Sequence, residues 1–250
     1  MEGLSDRVAV VTGAAQGNGR AIAHGLAGHG ASVAACDIDE DGAAQTAKAI
    51  AAAGGTAVAM ALDVTDAQAC ARVAGEVKER LGPAGILVNN AGIIRRTPLE
   101  AESFAQDWEA VLAVNATGVM QCTRAFADQL RETRGAVVNL ASIMSFSAGP
   151  NLAAYAASKG AVAQLTRALA HDFAGDGVRV NAIAPGIIET PMTEVTRANP
   201  EAIGRFMAHT PMGRTGTPEE LVGPVLFLAS QMASYVTGAI LPVDGGYLAA

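Results

Sequence analysis

Short, wholly apolar runs alternate along the chain with longer stretches in which apolar residues return every three or four positions, a succession of strand and helix signals. The apolar runs lie at residues 7–12 (RVAVVT), 31–36 (ASVAAC), 56–62 (TAVAMAL), 85–89 (GILVN), 135–140 (GAVVNL), 177–183 (GVRVNAI) and 240–243 (ILPV). Continuous apolar runs of this length mark strands covered on both faces, the condition of a parallel sheet. Helical periodicity runs from residue 20 onward, over 42–53 and 66–81, through a long region at 103–131, and across the alanine-rich segment around 155–159. Strict alternation of the two predicts a doubly wound α/β fold with a parallel sheet of about seven strands flanked by helices. No linker or second hydrophobic block interrupts residues 1–250, so a single domain is expected.

The polar residues that matter stand where strands end. Residues 13–19 (GAAQGNG) join the first strand to its helix, with glycines at Gly13, Gly17 and Gly19. Such a turn lets the backbone approach a ligand, and the following helix N-terminus offers unpaired N–H groups to a pyrophosphate. A plain turn would use the same glycines. Asp37 closes the second strand, where a dinucleotide-binding sheet of the Rossmann type places an acid against the ribose hydroxyls. A carboxylate there repels a 2′-phosphate and no Arg or Lys stands nearby, so the expected cofactor is NAD. The following acids, Asp39, Glu40 and Asp41, read as the cap and first turn of the next helix. Asp63-Val64 and Asn89-Asn90-Ala91-Gly92 follow the third and fourth strands and are expected to line the cofactor cleft, although any loop needs such residues.

Tyr155 and Lys159 are four residues apart, one helical turn, so their side chains share a face. An ammonium within about 4–6 Å lowers a phenol's pKa, which suits proton transfer near neutral pH. Ser142 ends the fifth strand and converges on the pair. Asn115 lies inside a helical region among Val111, Leu112, Val114 and Val119. A buried Asn needs partners, so it either staples helix to strand or holds a water for proton exchange. Residues 187–211 break the pattern with three prolines and mixed charge, and are expected to form a mobile lid over the substrate.

Composition narrows the field. The net charge is −7 without a basic cluster, which excludes a nucleic-acid or anionic-membrane surface. Cys36, Cys70 and Cys122 are widely separated in sequence, fit neither a disulfide framework nor a zinc site, and suit a reducing, cytoplasmic setting. The histidines form no HExxH motif, so no metal is expected. No apolar run is long enough to span a membrane.

Taken in order, Thr12-Gly13-x-x-x-Gly17-x-Gly19, Asp63, Asn89-Asn90-Ala91-Gly92, Asn115, Ser142 with Tyr155-x-x-x-Lys159, and Pro185-Gly186 followed by Thr190 resemble the short-chain dehydrogenase/reductase family over almost the whole chain. Asn18 departs from the Ile or Leu usual there. The resemblance implies a secondary alcohol and ketone interconverted by hydride transfer. Tyr155 would be general acid or base, Lys159 would tune it and bind the nicotinamide ribose, Ser142 would hold the reacting oxygen, and Asn115 would hold a relay water. It extends the cofactor contacts to Gln16, Asn18, Ile188 and Thr190, and implies a homotetramer. Ile94-Arg95-Arg96 is similar to the sugar-acid and polyol dehydrogenases of that family, the deoxygluconate dehydrogenases among them. Arg95 or Arg96 would then hold a substrate carboxylate, unless both are surface groups or clasp a neighbouring subunit. The rivals are a 3-oxoacyl-thioester reductase, disfavoured by Asp37 because those enzymes prefer NADPH, and a nucleotide sensor without catalysis.

Overall fold

The computed structural model describes residues 3–249. One sheet of seven parallel strands forms its centre, in the order β3-β2-β1-β4-β5-β6-β7. The strands are β1 (Val8–Thr12), β2 (Ser32–Asp37), β3 (Thr56–Ala61), β4 (Ala84–Asn89), β5 (Ala136–Leu140), β6 (Arg179–Pro185) and β7 (Ile240–Val243). Each predicted run forms a strand, with ends displaced by at most a few residues. Successive side chains of a strand point to opposite faces. In β1, Ala9 and Val11 therefore enter one core with Ile22, Leu26 and Val225, while Val8 and Val10 enter the other with Val73, Phe126 and Leu130. Fully burying one such side chain contributes about 1.5–3 kcal/mol, which is why an uninterrupted apolar run holds its place in the middle of the sheet.

The first core lies under α1 (Gly17–Gly28) and α9 (Val222–Ala229), the second under α3 (Ala67–Leu81) and α5 (Gly118–Thr133). Helix α2 (Glu40–Ala52) starts at Asp39, whose carboxylate accepts from the Gly42 N–H at 3.0 Å, and Asp66 caps α3 in the same way. The strand order reverses between β1 and β4, which opens a crevice at their carboxyl ends, where sheets of this kind bind ligands.

Two segments differ from expectation. The long helix at 103–131 is three pieces: α4 (Phe104–Leu112), a π-helical turn (Ala113–Thr117) centred on Asn115, and α5. Segment 187–211 contains a 3₁₀ turn (Pro191–Thr193), α7 (Glu194–Arg197) and α8 (Pro200–Ala208), two of them opened by a proline at the first helical position. Helix α6 (Ala153–Ala174) packs on β6. Among the described residues no helix is long and apolar enough to cross a membrane.

Candidate active site

A cleft of about 400 Å³ opens at the crevice, and the ends of six strands wall it. Its floor is two turns laced together. The Thr12 hydroxyl accepts from the N–H groups of Asn90 and Ala91, both at 3.0 Å, and Asn90 Nδ2 donates to the carbonyls of Thr12 and Gly13 at 2.9 Å each. Gly13 and Gly17 have φ of +65° and +51°, the left-handed region in which a side chain is strained. A Cβ on Gly19 would stand 2.0 Å from the Gly13 carbonyl oxygen, so Gly19 lets α1 press against the turn. Gly19 itself lies outside the cleft walls, while Gln16, Gly17 and Asn18 form them.

Asp37 faces the cleft with both carboxylate oxygens engaged, one accepting from Ala15 N–H at 2.8 Å and the other from Asp39 N–H at 3.0 Å. The Arg20 guanidinium donates to the carbonyl of that same Ala15 and, at 3.2 Å, to the Thr46 hydroxyl. A guanidinium is thus anchored on the turn that holds the acid, although Arg20 does not line the cleft. Helix geometry brings it there, since side chains in a first turn lean back over the preceding loop. Asp63 and Val64 continue the wall, Asp63 also accepting from Thr65 N–H at 2.8 Å. Ile38, unassigned in the sequence, projects at the mouth with 74% of its surface exposed.

The Asn89 expectation is corrected to Asn90. The Asn89 side chain is buried on the α5 side of the sheet, donating to Thr123 Oγ1 at 3.1 Å and to Asn139 Oδ1 at 2.8 Å, whereas Asn90, Ala91 and Gly92 line the cleft. The far wall is formed by Pro185, Gly186, Ile188 and Thr190, joined by Met192 of the segment that follows.

Ser142, at the end of β5, caps a 3₁₀ turn by accepting from Met144 N–H at 3.1 Å. Ser145 of that turn donates to the Lys159 carbonyl at 2.7 Å, tying the turn to α6. Tyr155, from α6, and Ser142, from the end of β5, line the same part of the cleft. Burial pushes the Tyr155 phenol up, against a downward pull from Ser142 and from the charge of Arg96. Lys159 is buried, and burial pushes it down to about 8. Its Nζ donates to the Leu140 carbonyl at 2.6 Å and sits 5.8 Å from the centre of the Tyr155 ring. Two cations therefore stand by the phenol, Lys159 on the same helix face and Arg96, whose charge adds to the downward pull.

Asn115 is fully buried and stapled. Its Oδ1 accepts from Ile93 N–H at 2.8 Å, and its Nδ2 donates to Ile93 O at 2.9 Å and to Ser158 Oγ at 3.0 Å. The side chain does not line the cleft, both of its N–H hydrogens are engaged, and it acts as the staple, one of the two roles expected of it. Arg95 lies on the outside, 3.7 Å from Asp107, while Arg96 donates to the Thr196 hydroxyl of α7. Among the described residues no cluster of His, Cys, Asp or Glu forms a metal site.

The cleft fits a dinucleotide. Its glycine floor faces a helix N-terminus, Asn18 Oδ1 on that helix is buried without a partner, and a Cβ on Gly92 would occupy the space 3.7 Å from Lys159 Nζ.

Comparison with known proteins bears on the same residues. A family model described as enoyl-(acyl carrier protein) reductase matches residues 13–248. Galactitol 2-dehydrogenase (L-tagatose-forming) of Cereibacter sphaeroides is 46% identical over 98% of this chain and 96% of its own length. The crystal structure of a protein from Beutenbergia cavernae, described as an NAD(P)-dependent gluconate 5-dehydrogenase with NADP bound at low occupancy, is 48% identical, with a TM-score of 0.94 over 99% of both chains. A gluconate 5-dehydrogenase from Burkholderia cenocepacia, in complex with NADP and tartrate, is 37% identical, with a TM-score of 0.94 over 98% of this chain and 96% of that one. Both structures hold NADP, which overturns the expectation of NAD. Asp37 therefore no longer weighs against a thioester reductase.

Proposed function

The chain belongs to the short-chain dehydrogenase/reductase family and interconverts CH–OH and C=O groups, and on that premise we propose that its cofactor is NADP(H) and its substrate a sugar acid. The observation that carries the reading is the meeting of Ser142, Tyr155 and Lys159 on one wall of the dinucleotide-sized cleft. When bound, the nicotinamide supplies the hydride acceptor or donor. The pyrophosphate would lie on the turn of Gln16, Gly17 and Asn18, and the adenosine against Asp37 and Ile38. The two backbone N–H groups that Asp37 accepts from occupy its carboxylate and temper its repulsion of a 2′-phosphate.

Ser142 holds the reacting oxygen and Tyr155 takes the alcohol proton in oxidation or returns it in reduction. Burial keeps Tyr155 protonated in the free enzyme, so loss of its proton depends on Arg96, on Ser142 and on the proton-exchanging Lys159. Asn115 positions the loop that carries Gly92 and Ile93, and so acts through the wall rather than on the reacting atoms. Segment 187–211 closes over the substrate, with Arg96 joined to it at Thr196.

Of the two candidate arginines, Arg96 is placed to receive the substrate carboxylate. Arg95 is directed to Asp107, whereas Arg96 lies between α7 and the electrostatic field of Tyr155. The expected result with Arg96→Ala is a KM raised roughly 10–100-fold for gluconate, the range of a charge-assisted hydrogen bond worth about 1.5–3 kcal/mol, with the KM for galactitol unchanged. Equal losses for the two substrates would refute the clamp, and an acetoacetyl thioester in the same panel tests the rival chemistry. The exposed small residues of α6, Ala157, Ala161 and Ala168, support a homotetramer, and three free cysteines support a cytoplasmic setting.

A further inference from the structure

Helices α3 and α5 lie side by side, residues 70, 74 and 78 of one meeting 122, 129 and 132 of the other, and their seam changes character along its length. Away from the cleft it is hydrogen-bonded. Gln129 donates to Ala74 O at 2.8 Å and accepts from Ala84 N–H at 2.9 Å, and Lys78 pairs with Glu132 at 2.8 Å. At the cleft end the seam is two thiols: Cys70 Sγ lies 3.8 Å from Cys122 Sγ, both buried with 1% exposure and both free.

Val64 connects this pair to the site. It lines the cleft, its carbonyl oxygen is 3.8 Å from Cys70 Sγ, and a Cβ on Gly118, one turn before Cys122, would stand 2.7 Å from Val64 Cγ2. Val64 is thus packed against both cysteine-bearing helices.

We propose that Cys70 and Cys122 form a reversible disulfide on exposure to hydrogen peroxide, and that its closure shifts the Val64 wall and weakens dinucleotide binding. The second half rests on the dinucleotide reading of the cleft; the bond itself does not. The Cys70 thiolate attacks the peroxide O–O bond, taking one oxygen as sulfenic acid while the other leaves as hydroxide and is protonated to water. The Cys122 sulfur then attacks the sulfenic sulfur and expels the second oxygen as water, so two thiols lose two electrons and two protons and one peroxide becomes two waters. The hydrogen bond from Cys122 holds the Cys70 thiol below the ordinary cysteine value, which makes Cys70 the attacking sulfur. The gap to close runs from 3.8 Å to a bond of about 2.05 Å. Cys36, in the same core, is pushed up to about 12 by burial and serves as an inert internal control.

Folded protein would be treated with peroxide, examined by intact mass and by non-reducing peptide mapping, and titrated with NADPH before and after dithiothreitol. The expected results are a mass lower by two hydrogens, a linked peptide joining Cys70 to Cys122, and a Kd for NADPH raised roughly tenfold, about 1.4 kcal/mol, all reversed by the reductant. Cys70→Ala and Cys122→Ala proteins should bind NADPH as the parent does and show neither change. Absence of the linked peptide, or oxygen added to Cys70 without a bridge, would overturn the proposal. So would a bridge that leaves the Kd unchanged, or an equal loss of affinity in the alanine variants. Untreated protein that binds no NADPH would refute the dinucleotide reading instead, while mass and peptide map still decide the bond.

Discussion

Replacing Asn115 with alanine removes three hydrogen bonds from a fully buried position. Two of them serve Ile93, whose N–H and carbonyl would both lose the side chain that pairs with them. The third partner loses little, because the Ser158 hydroxyl keeps its bond to the Tyr155 carbonyl at 2.7 Å. A stranded buried group costs about 1–3 kcal/mol, so two give roughly 2–6 kcal/mol, nearer the lower end if the loop relaxes toward water. For a domain of this size each kcal/mol lowers the Tm by about 2–4 °C, so the variant should melt on the order of 5–10 °C lower. Circular dichroism melts of the dinucleotide-free protein measure this. Because Gly92 and Ile93 line the cleft, the KM for NADPH should rise as well. Asn115→Asp is the informative partner: its carboxylate still accepts from Ile93 N–H but is buried without a cation and turns an oxygen toward Ile93 O, so its Tm should fall at least as far as that of the alanine variant. A Tm within about 2 °C of the parent together with a lost kcat would refute the staple and restore a relay role.

Other outcomes follow from the same geometry. Gly19→Ala places a Cβ 2.0 Å from Gly13 O and 2.5 Å from Asn90 Nδ2, so NADPH affinity by fluorescence titration should drop at least tenfold, and an unchanged Kd would remove the glycine floor from the account. Asn18→Leu removes a buried Oδ1 without a partner and should raise the urea-unfolding free energy of the dinucleotide-free protein by about 1 kcal/mol; a decrease would contradict this. Lys159 titrates near 8 when folded and at 10.5 as a free side chain, so between those values the unfolded chain binds more protons. Its contribution to stability therefore rises with pH from about 8 and is absent in Lys159→Met, up to about pH 10, where Tyr155, shifted upward, begins to oppose it. Parallel pH–stability curves for parent and variant across that window would refute the buried ammonium.

The parallel sheet was legible because its strands are buried on both faces and read as unbroken apolar runs. The cleft was legible because glycines and short polar residues collect at strand ends. What escaped depends on direction. Asn89 and Asn90 are neighbours in one motif, yet Asn89 ends the pleat facing α5 while Asn90 has left the strand and braces the glycine turn. The π-helical turn at Asn115 inserts one residue into a helix, which periodicity over a long window averages away. Pro191 and Pro200 looked like helix breakers and are helix starters, where a missing N–H costs nothing. Arg20 was invisible to a search for charge near Asp37 in sequence, although a first-turn side chain leans back toward the loop. Cys70 and Cys122 are separated by 52 positions, and only the packing of α3 on α5 brings them together.

In the proposed function Tyr155 moves the proton while hydride passes to or from NADP(H). The most direct measurement is NADPH fluorescence from NADP⁺ and gluconate, with the parent and Tyr155→Phe proteins side by side and the Kd for NADP⁺ determined for each. The expected result is turnover by the parent, none by the variant, and closely matching Kd values. Turnover retained by Tyr155→Phe would contradict it.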